Sequence, residues 1–294
     1  MILSSLALII LNYNSYDDTV HLVDQLIEFG ADYHVIIVDN ASPDGSGKRL
    51  MSRYEDMRIV DVVMAGVNGG YGAGNNVGFR YAEDKYGADV MAVLNPDVEI
   101  PDLGVINTMH ETLMSDERIG IVGSVIGDRE SNADLNHSAW PVVTARQFAR
   151  KQSLFSRRYA VPFECIHITA DIVRVGCVAG CFFMIRTETL HDVGYYDEDM
   201  FLYNEEDVLG IKCQLKGWKV VLALSCAYFH NHHDSDGILT FDQKIHATNA
   251  SYVSAKYVCR EYYDGRGLVT LWMAEATNML YLAAAYFRNK LIGR

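Results

Sequence analysis

The residues in this chain best suited to chemistry stand where apolar runs stop. Met91-Ala92-Val93-Leu94 runs into Asn95-Pro96-Asp97. Pro96 has no N–H for a ladder and biases Asn95 towards extended geometry, so the run reads as a buried strand that ends abruptly. Asp97 then stands at the carboxyl end of a core strand, where open α/β sheets place ligands, and its carboxylate can hold a divalent cation. A plain strand and turn would read the same way. Val35 to Val38 stops at Asp39 in a similar manner. That aspartate can accept hydrogen bonds from a ribose or a base edge, or cap the turn after it.

Two further groups carry charge or protons. In Glu205-Glu206-Asp207 the adjacent carboxylates repel one another, which suits a general base or a metal neighbour. An acidic helix N-terminus favoured by the macrodipole fits the same run. His230, His232 and His233 follow the last apolar run; imidazoles there can bind a metal or a diphosphate, or sit at the surface as polar residues. The glycine-rich stretch Asn68–Gly78 is less specific. Val77 falls where GxGxxG needs its third glycine, and no Gly-Lys-Ser/Thr follows, so neither the dinucleotide fingerprint nor the P-loop is met. What remains is a turn with backbone N–H groups ahead of a helix, which can face a phosphate.

The elements that must position these groups alternate. Apolar, strand-like runs at 5–11, 35–38, 59–63 and 91–94 are separated by segments of helical spacing, with Val20, Val23, Leu26 and Ile27 on one face of the first. A second helix is expected near Lys48–Tyr54, and a third after the glycine stretch, running to about Tyr86. Such alternation argues for βαβ units in a parallel sheet covered on both faces. Further on, 102–118 reads as a helix and 119–125 as a strand, and then the pattern breaks from about 127 to 173. That stretch holds Trp140 and a basic cluster of Arg146, Arg150, Lys151, Arg157 and Arg158. An apolar run at 176–185, an acidic segment passing into a helix at 197–217 and a last strand at 218–224 precede a helical tail. Within the tail, Leu268–Phe287 is mostly apolar but carries Glu275 and Asn278 and ends in basic residues. A buried or interfacial helix fits it better than a membrane span, and it suits contact with a membrane surface or a second copy of the chain.

Composition excludes several classes. The chain has 294 residues, half of them hydrophobic, and a net charge of −13, so it is globular and poorly suited to indiscriminate binding of nucleic acid or an anionic membrane face, which would need a local basic patch. Its six cysteines form no CxxC pair and read as reduced, which points to the cytoplasm. The apolar start lacks a basic n-region and a cleavage site and reads as the first strand of the sheet.

The order of these motifs resembles glycosyltransferase family 2, closest to its rhamnosyltransferase-like branch. The matching residues are Val38-Asp39-Asn40-Ala41-Ser42, Asn68–Gly78, Leu94-Asn95-Pro96-Asp97, Val178-Ala179-Gly180-Cys181 and Phe201–Asp207 with Gly217 downstream. The resemblance covers roughly residues 5 to 235. It implies a GT-A fold, an α/β fold with a mostly parallel central sheet flanked by helices, here with a helical C-terminal tail. The domain would span 1–235, with a nucleotide-binding half at 1–100 and an acceptor half at 101–235, followed by a helical extension at 236–294.

The implied reaction is inverting transfer of a sugar from a nucleoside diphosphate-sugar, dTDP-rhamnose or a UDP-sugar, to a hydroxyl of a glycan or lipid-linked glycan, in polysaccharide biosynthesis. By the same resemblance Asp39 would hold the nucleoside, with Asn12, Asn14 and Asn40 in the same pocket and Gly70, Tyr71, Asn75, Asn95 and Gly180 around the donor. Asp97, with His230, would coordinate Mg²⁺ or Mn²⁺ on the diphosphate. The family's usual Glu-Asp-x-Asp-Leu is here Glu205-Glu206-Asp207-Val208-Leu209. Alignment on Leu209, Lys212 and Gly217 puts Glu206 at the base position, with Asp207 close behind. A non-catalytic sugar-nucleotide or glycan-binding protein on the same fold is the alternative. A peripheral position at the inner face of a membrane is compatible with either.

Overall fold

The computed structural model describes residues 6–30, 33–127, 135–153, 165–231 and 241–292. In chain order the first half consists of β1 (Leu6–Asn12), α1 (Tyr16–Glu28), β2 (His34–Asp39), α2 (Ser46–Tyr54), β3 (Val60–Met64), α3 (Tyr71–Tyr86), β4 (Val90–Leu94), β5 (Val98–Glu99), α4 (Leu103–Met114) and β6 (Ile119–Gly127). Then follow α5 (Leu135–Ser138), β7 (Ala139–Trp140), α6 (Ala145–Lys151), β8 (Ile166–His167), β9 (Ile172–Val175), β10 (Cys177–Val178), β11 (Phe182–Arg186) and α7 (Thr187–Val193). The chain closes with α8 (Glu205–Lys216), β12 (Lys219–His230), α9 (Phe241–Glu261) and α10 (Leu268–Ile292).

The main sheet runs β3-β2-β1-β4-β11-β6-β12-β9-β8, with β5 on the upper end of β12. Its first four strands are parallel, as the βαβ alternation predicts. The second half is mixed: β11 lies antiparallel between β4 and β6, while β12 is parallel to β6 and antiparallel to β9. Side chains alternate across β1. Leu6, Leu8 and Ile10 join one buried apolar cluster, and Ala7 and Ile9 join another. A sheet filled on both faces in this way needs the continuous apolar runs seen in the sequence. β3 is the exception, half-exposed as an edge strand should be.

Two boundaries differ from expectation. α3 begins at Tyr71, inside the glycine stretch, because the glycines serve as packing positions of a helix rather than as a flexible turn. A Cβ at Gly78 would lie 2.4 Å from Ile9 Cγ2 on β1. The last strand extends to His230, past the expected end at Leu224, with a register shift between Ala223 and Ala227 that lets β12 continue as a ladder partner of β5 and β6.

The chain forms two compact units. The first takes in Met1–Pro141, Phe163–Asp199 and Glu205–His232, and the second Val142–Pro162, Met200–Asn204 and His233–Arg294. The tail is thus grouped with two short segments that the sequence reading had assigned to the domain before it. Within the second unit, Tyr252 and Tyr263 on or next to α9 donate their hydroxyls to the carbonyls of Gln152 and Val143 at 2.7 and 2.8 Å. Part of the basic cluster, Arg157 and Arg158, lies outside the described residues, as do His232 and His233. By length and composition Leu268–Tyr286 could cross a membrane, and 11% of that window is buried.

Candidate active site

Every residue singled out from the sequence for binding or catalysis, His232 and His233 aside, lies in the first unit, at the carboxyl ends of β1, β2 and β4 or on the elements around them. Asn12 and Asp39 face each other as the last register pair of β1 and β2. Asn12 is completely buried, and its Nδ2 donates to Asp39 Oδ1 at 2.7 Å and to Ser46 Oγ at 2.9 Å. Its Oδ1 accepts from the Thr19 hydroxyl at 3.0 Å. The other oxygen of Asp39 accepts the Ser42 backbone N–H at 3.1 Å. Asn12 therefore acts as a strut that aims Asp39. Asn14 is exposed, with a left-handed backbone (φ 56°), and is tied by its N–H to Ser42 Oγ at 3.1 Å.

Asn40 is buried beside this pair, and its Nδ2 donates to Asn68 Oδ1 and to the Gly70 carbonyl, both at 3.0 Å. Asn75, in the first turns of α3, donates its Nδ2 to the Tyr71 carbonyl at 3.0 Å. The side-chain oxygens of Asn40 and Asn75 are both buried without a donor among the described residues. A buried acceptor without a donor costs roughly 1–3 kcal/mol. A ligand hydroxyl, a base N–H or a water would remove that cost.

At the end of β4 the Asn95 N–H donates to the Cys181 carbonyl at 2.8 Å, and the Asn95 carbonyl accepts from Val98 at 3.1 Å, closing the turn through Pro96. β5 then pairs with β12, setting Val98 opposite His230. Asp97 Oδ2 thereby comes to 3.2 Å from His230 Nε2. Burial lowers the His230 pKa, but Asp97 and Cys181 outweigh it and raise it to about 10. Tyr228, two residues earlier, is fully buried with its hydroxyl 2.9 Å from Cys181 Sγ.

The acidic run opens α8, and its members point different ways. Asp207 is buried and accepts the indole N–H of Trp140 at 3.1 Å. Glu206 lies against Gly180: a Cβ at that glycine would fall 2.6 Å from Glu206 Oε1. The Gly180 carbonyl accepts the Tyr71 hydroxyl at 2.8 Å, and the same hydroxyl lies 3.1 Å from Asn95 Oδ1. A line of contacts thus joins Glu206 to the end of β4. Burial, with Glu206 and Glu205 nearby, holds the pKa values of Tyr71 and Tyr196 well above the ordinary phenol range, so both remain donors. The Tyr196 hydroxyl is buried with no partner among the described residues. Tyr196 itself is locked to α3 by Asn76, which bonds its carbonyl and its N–H at 3.0 and 3.1 Å.

Residues 7–193 match the model of glycosyl transferase family 2. The chain belongs to that family. The hexosyltransferase Agl10 of low-salt glycan biosynthesis in Haloferax volcanii is 30% identical over 208 residues, 69% of this chain and 60% of Agl10. The chain therefore spans less than two thirds of that relative. An N-acetylglucosaminyl-diphospho-decaprenol L-rhamnosyltransferase of Mycobacterium tuberculosis is 24% identical over 69% of this chain and 68% of its own length. Among solved structures, the mannosyltransferase PcManGT of Pyrobaculum calidifontis, in complex with GDP-Man and Mn²⁺, has a TM-score of 0.56 at 14% identity. That match covers 98% of this chain and 79% of PcManGT. GalNAc-T7 with UDP, GalNAc and Mn²⁺ has a TM-score of 0.58 at 16% identity, over 78% of this chain and 44% of its own. The fold is GT-A, as expected from the motif order.

As a family 2 glycosyltransferase domain, the chain carries its anticipated residues in two clusters, one around Asp39 and one around Asn95, Asp97, Gly180 and Glu206. Among the described residues no group of three or more His, Cys, Asp or Glu is arranged to hold a metal. The Asp97–His230 pair fits a divalent ion that displaces the imidazole proton and draws its remaining ligands from a diphosphate and water, since a carboxylate and a neutral imidazole are both donors to such ions and already lie side by side. Trp140, Tyr196 and Asn76 had no role in the sequence reading. Their partners lie 67 and 120 residues away, beyond the reach of any local pattern.

Proposed function

We propose that this protein transfers a sugar, with inversion, from a nucleoside diphosphate-sugar such as dTDP-rhamnose or a UDP-sugar to a hydroxyl of a glycan or lipid-linked glycan, with Glu206 as the base. The observation that carries this reading is the different fate of the two neighbouring carboxylates. Asp207 is committed to the Trp140 indole, whereas Glu206 rests on the Gly180 backbone, linked through Tyr71 to Asn95. Asp39, aimed by Asn12, receives the nucleoside, and the free oxygens of Asn40 and Asn75 accept its donors. Glu206 takes the proton from the acceptor hydroxyl as that oxygen attacks the anomeric carbon, and the diphosphate leaves from the opposite face. Asp97 and His230 would hold Mg²⁺ or Mn²⁺, which neutralises charge on the leaving diphosphate. Both PcManGT and GalNAc-T7 were solved with Mn²⁺, which supports a divalent cofactor. The lipid-linked substrate in the name of the mycobacterial relative supports a lipid-linked acceptor here. The free cysteines, two of them half-exposed, suit a cytoplasmic setting.

The test is transfer from UDP-, GDP- and dTDP-sugars, with and without Mn²⁺, by the native chain and by Glu206→Gln and Asp207→Asn. Glu206→Gln should lower kcat by about 100-fold or more while donor still raises the melting midpoint. Undiminished turnover in that variant would remove Glu206 from its role. Donor binding by the native chain without transfer or hydrolysis would make it a binding protein.

A further inference from the structure

The second unit carries an apolar face with no use in sugar transfer. On α10, Val269, Met273, Ala276, Leu280 and Ala284 recur at spacings of three and four and are all exposed, Met273 and Leu280 at 67% and 71%. At 1.5 Å per residue this stripe is about 22 Å long. Trp272, 52% exposed, flanks it on one side and Tyr281 on the other. The opposite face of α10 is occupied. Leu271 and Ala274 are buried, Asn278 Nδ2 donates to the Gln152 carbonyl at 3.2 Å, and Glu275 pairs with Lys256 of α9 at 2.7 Å. Lipid could not surround a helix bound in this way, although its length and composition would permit a span.

Charge identifies what covers the stripe. Residues 241–294 hold seven basic and four acidic side chains, whereas the whole chain has a net charge of −13. Arg288, Lys290 and Arg294 follow the stripe directly, and the one acidic residue of α10, Glu275, is neutralised on the far side. The local basic end beside an apolar, aromatic-flanked stripe is the pattern that an anionic bilayer surface complements.

We infer that α10 lies in the plane of an anionic bilayer surface, with the stripe from Val269 to Ala284 immersed and the basic end among the headgroups. The inference rests on the tail alone. A docked tail would keep the chain at the surface where lipid-linked molecules reside.

The test is co-sedimentation of the full chain with vesicles of phosphatidylcholine, alone or with about one third phosphatidylglycerol, at low and high salt. The chain should bind the anionic vesicles, weakly at high salt, and binding should fall at least about tenfold in Met273→Glu/Leu280→Glu. Met273→Ala/Leu280→Ala should give a smaller loss, and unchanged circular-dichroism melting of both variants would show that they fold. No binding to anionic vesicles, equal binding to neutral ones, or binding unaffected by these substitutions would overturn the inference. A dimer in light scattering that the glutamates dissolve, with no vesicle binding, would overturn it in favour of a second copy. Vesicle binding needs neither donor nor turnover, so its failure leaves the catalytic proposal standing, and the reverse also holds.

Discussion

Two aspartates at strand ends, Asp39 on β2 and Asp97 beyond β4, look alike in the sequence and are built differently. Asp39 is 1% exposed, and both its oxygens take donors from its own chain, Asn12 and the Ser42 N–H. Asp97 retains 29% of its side-chain exposure and faces the His230 imidazole. The first is part of the scaffold as well as the proposed pocket; the second can change partners with little cost to the fold. A GT-A sheet can thus keep a rigid end for recognition and a less buried end for chemistry on the same row of strand tips.

The sharpest way to break that comparison is to truncate each aspartate in turn. Asp39→Ala removes one acceptor of the buried Asn12 amide and the acceptor of the Ser42 N–H, and should cost about 2–3 kcal/mol of stability in urea unfolding, with donor binding lost. Asp97→Ala removes one partner of His230 and should cost less, about 1 kcal/mol. Its transfer should nevertheless fall by about 100-fold and lose its Mn²⁺ dependence. Equal destabilisation by the two substitutions would erase the distinction.

Gly180→Ala probes the reactive end from the backbone side. Its Cβ would crowd Glu206 Oε1, so the carboxylate must swing aside. A misplacement of about 1 Å can cost about 100-fold in turnover, and nucleotide binding at Asp39 should be unchanged. Loss of nucleotide binding as well would show that the two ends are not separable.

The smallest effect concerns acid stability. Hydrogen bonds from Asn76 and then Arg80 lower the Glu198 pKa below its ordinary value of 4.5. Because the folded pKa is the lower one, this contribution is complete above the unfolded value and is lost as pH falls through the folded value. Glu198→Gln should therefore flatten the acid limb of a plot of Tm against pH and leave neutral-pH transfer intact. An unaltered acid limb would assign the pairing no role in stability.

Much of this arrangement was legible in advance. Pro96 ends β4 for a covalent reason, and the apolar runs of β1, β2 and β4 follow from a sheet covered on both faces. The start of α3 was not legible. Glycines in Asn68–Gly78 suggest a loop, and only contact with Ile9, on a strand formed far earlier in the chain, shows why a helix would use them. Spacing to Leu209, Lys212 and Gly217 favoured Glu206 over Asp207 but gave no physical reason for it. Neighbours on a helix point about 100° apart, but which of them faces inward depends on Trp140, contributed from 67 residues upstream. The tail was expected to be buried or interfacial, and its composition could not show that α9 covers one side of it while the stripe remains exposed.

The position of β11 has a consequence for the order of assembly. β1 to β4 pair with one another, but β4 and β6 are not neighbours. The slot between them waits for residues 182–186, and Arg186, at the end of β11, then bonds the carbonyls of Leu113 and Ile119 at 2.5 and 2.8 Å. If strands pair in chain order, the inner edge of β4 and both edges of β6 stay open until β11 and β12 arrive, and such open edges are templates for aggregation.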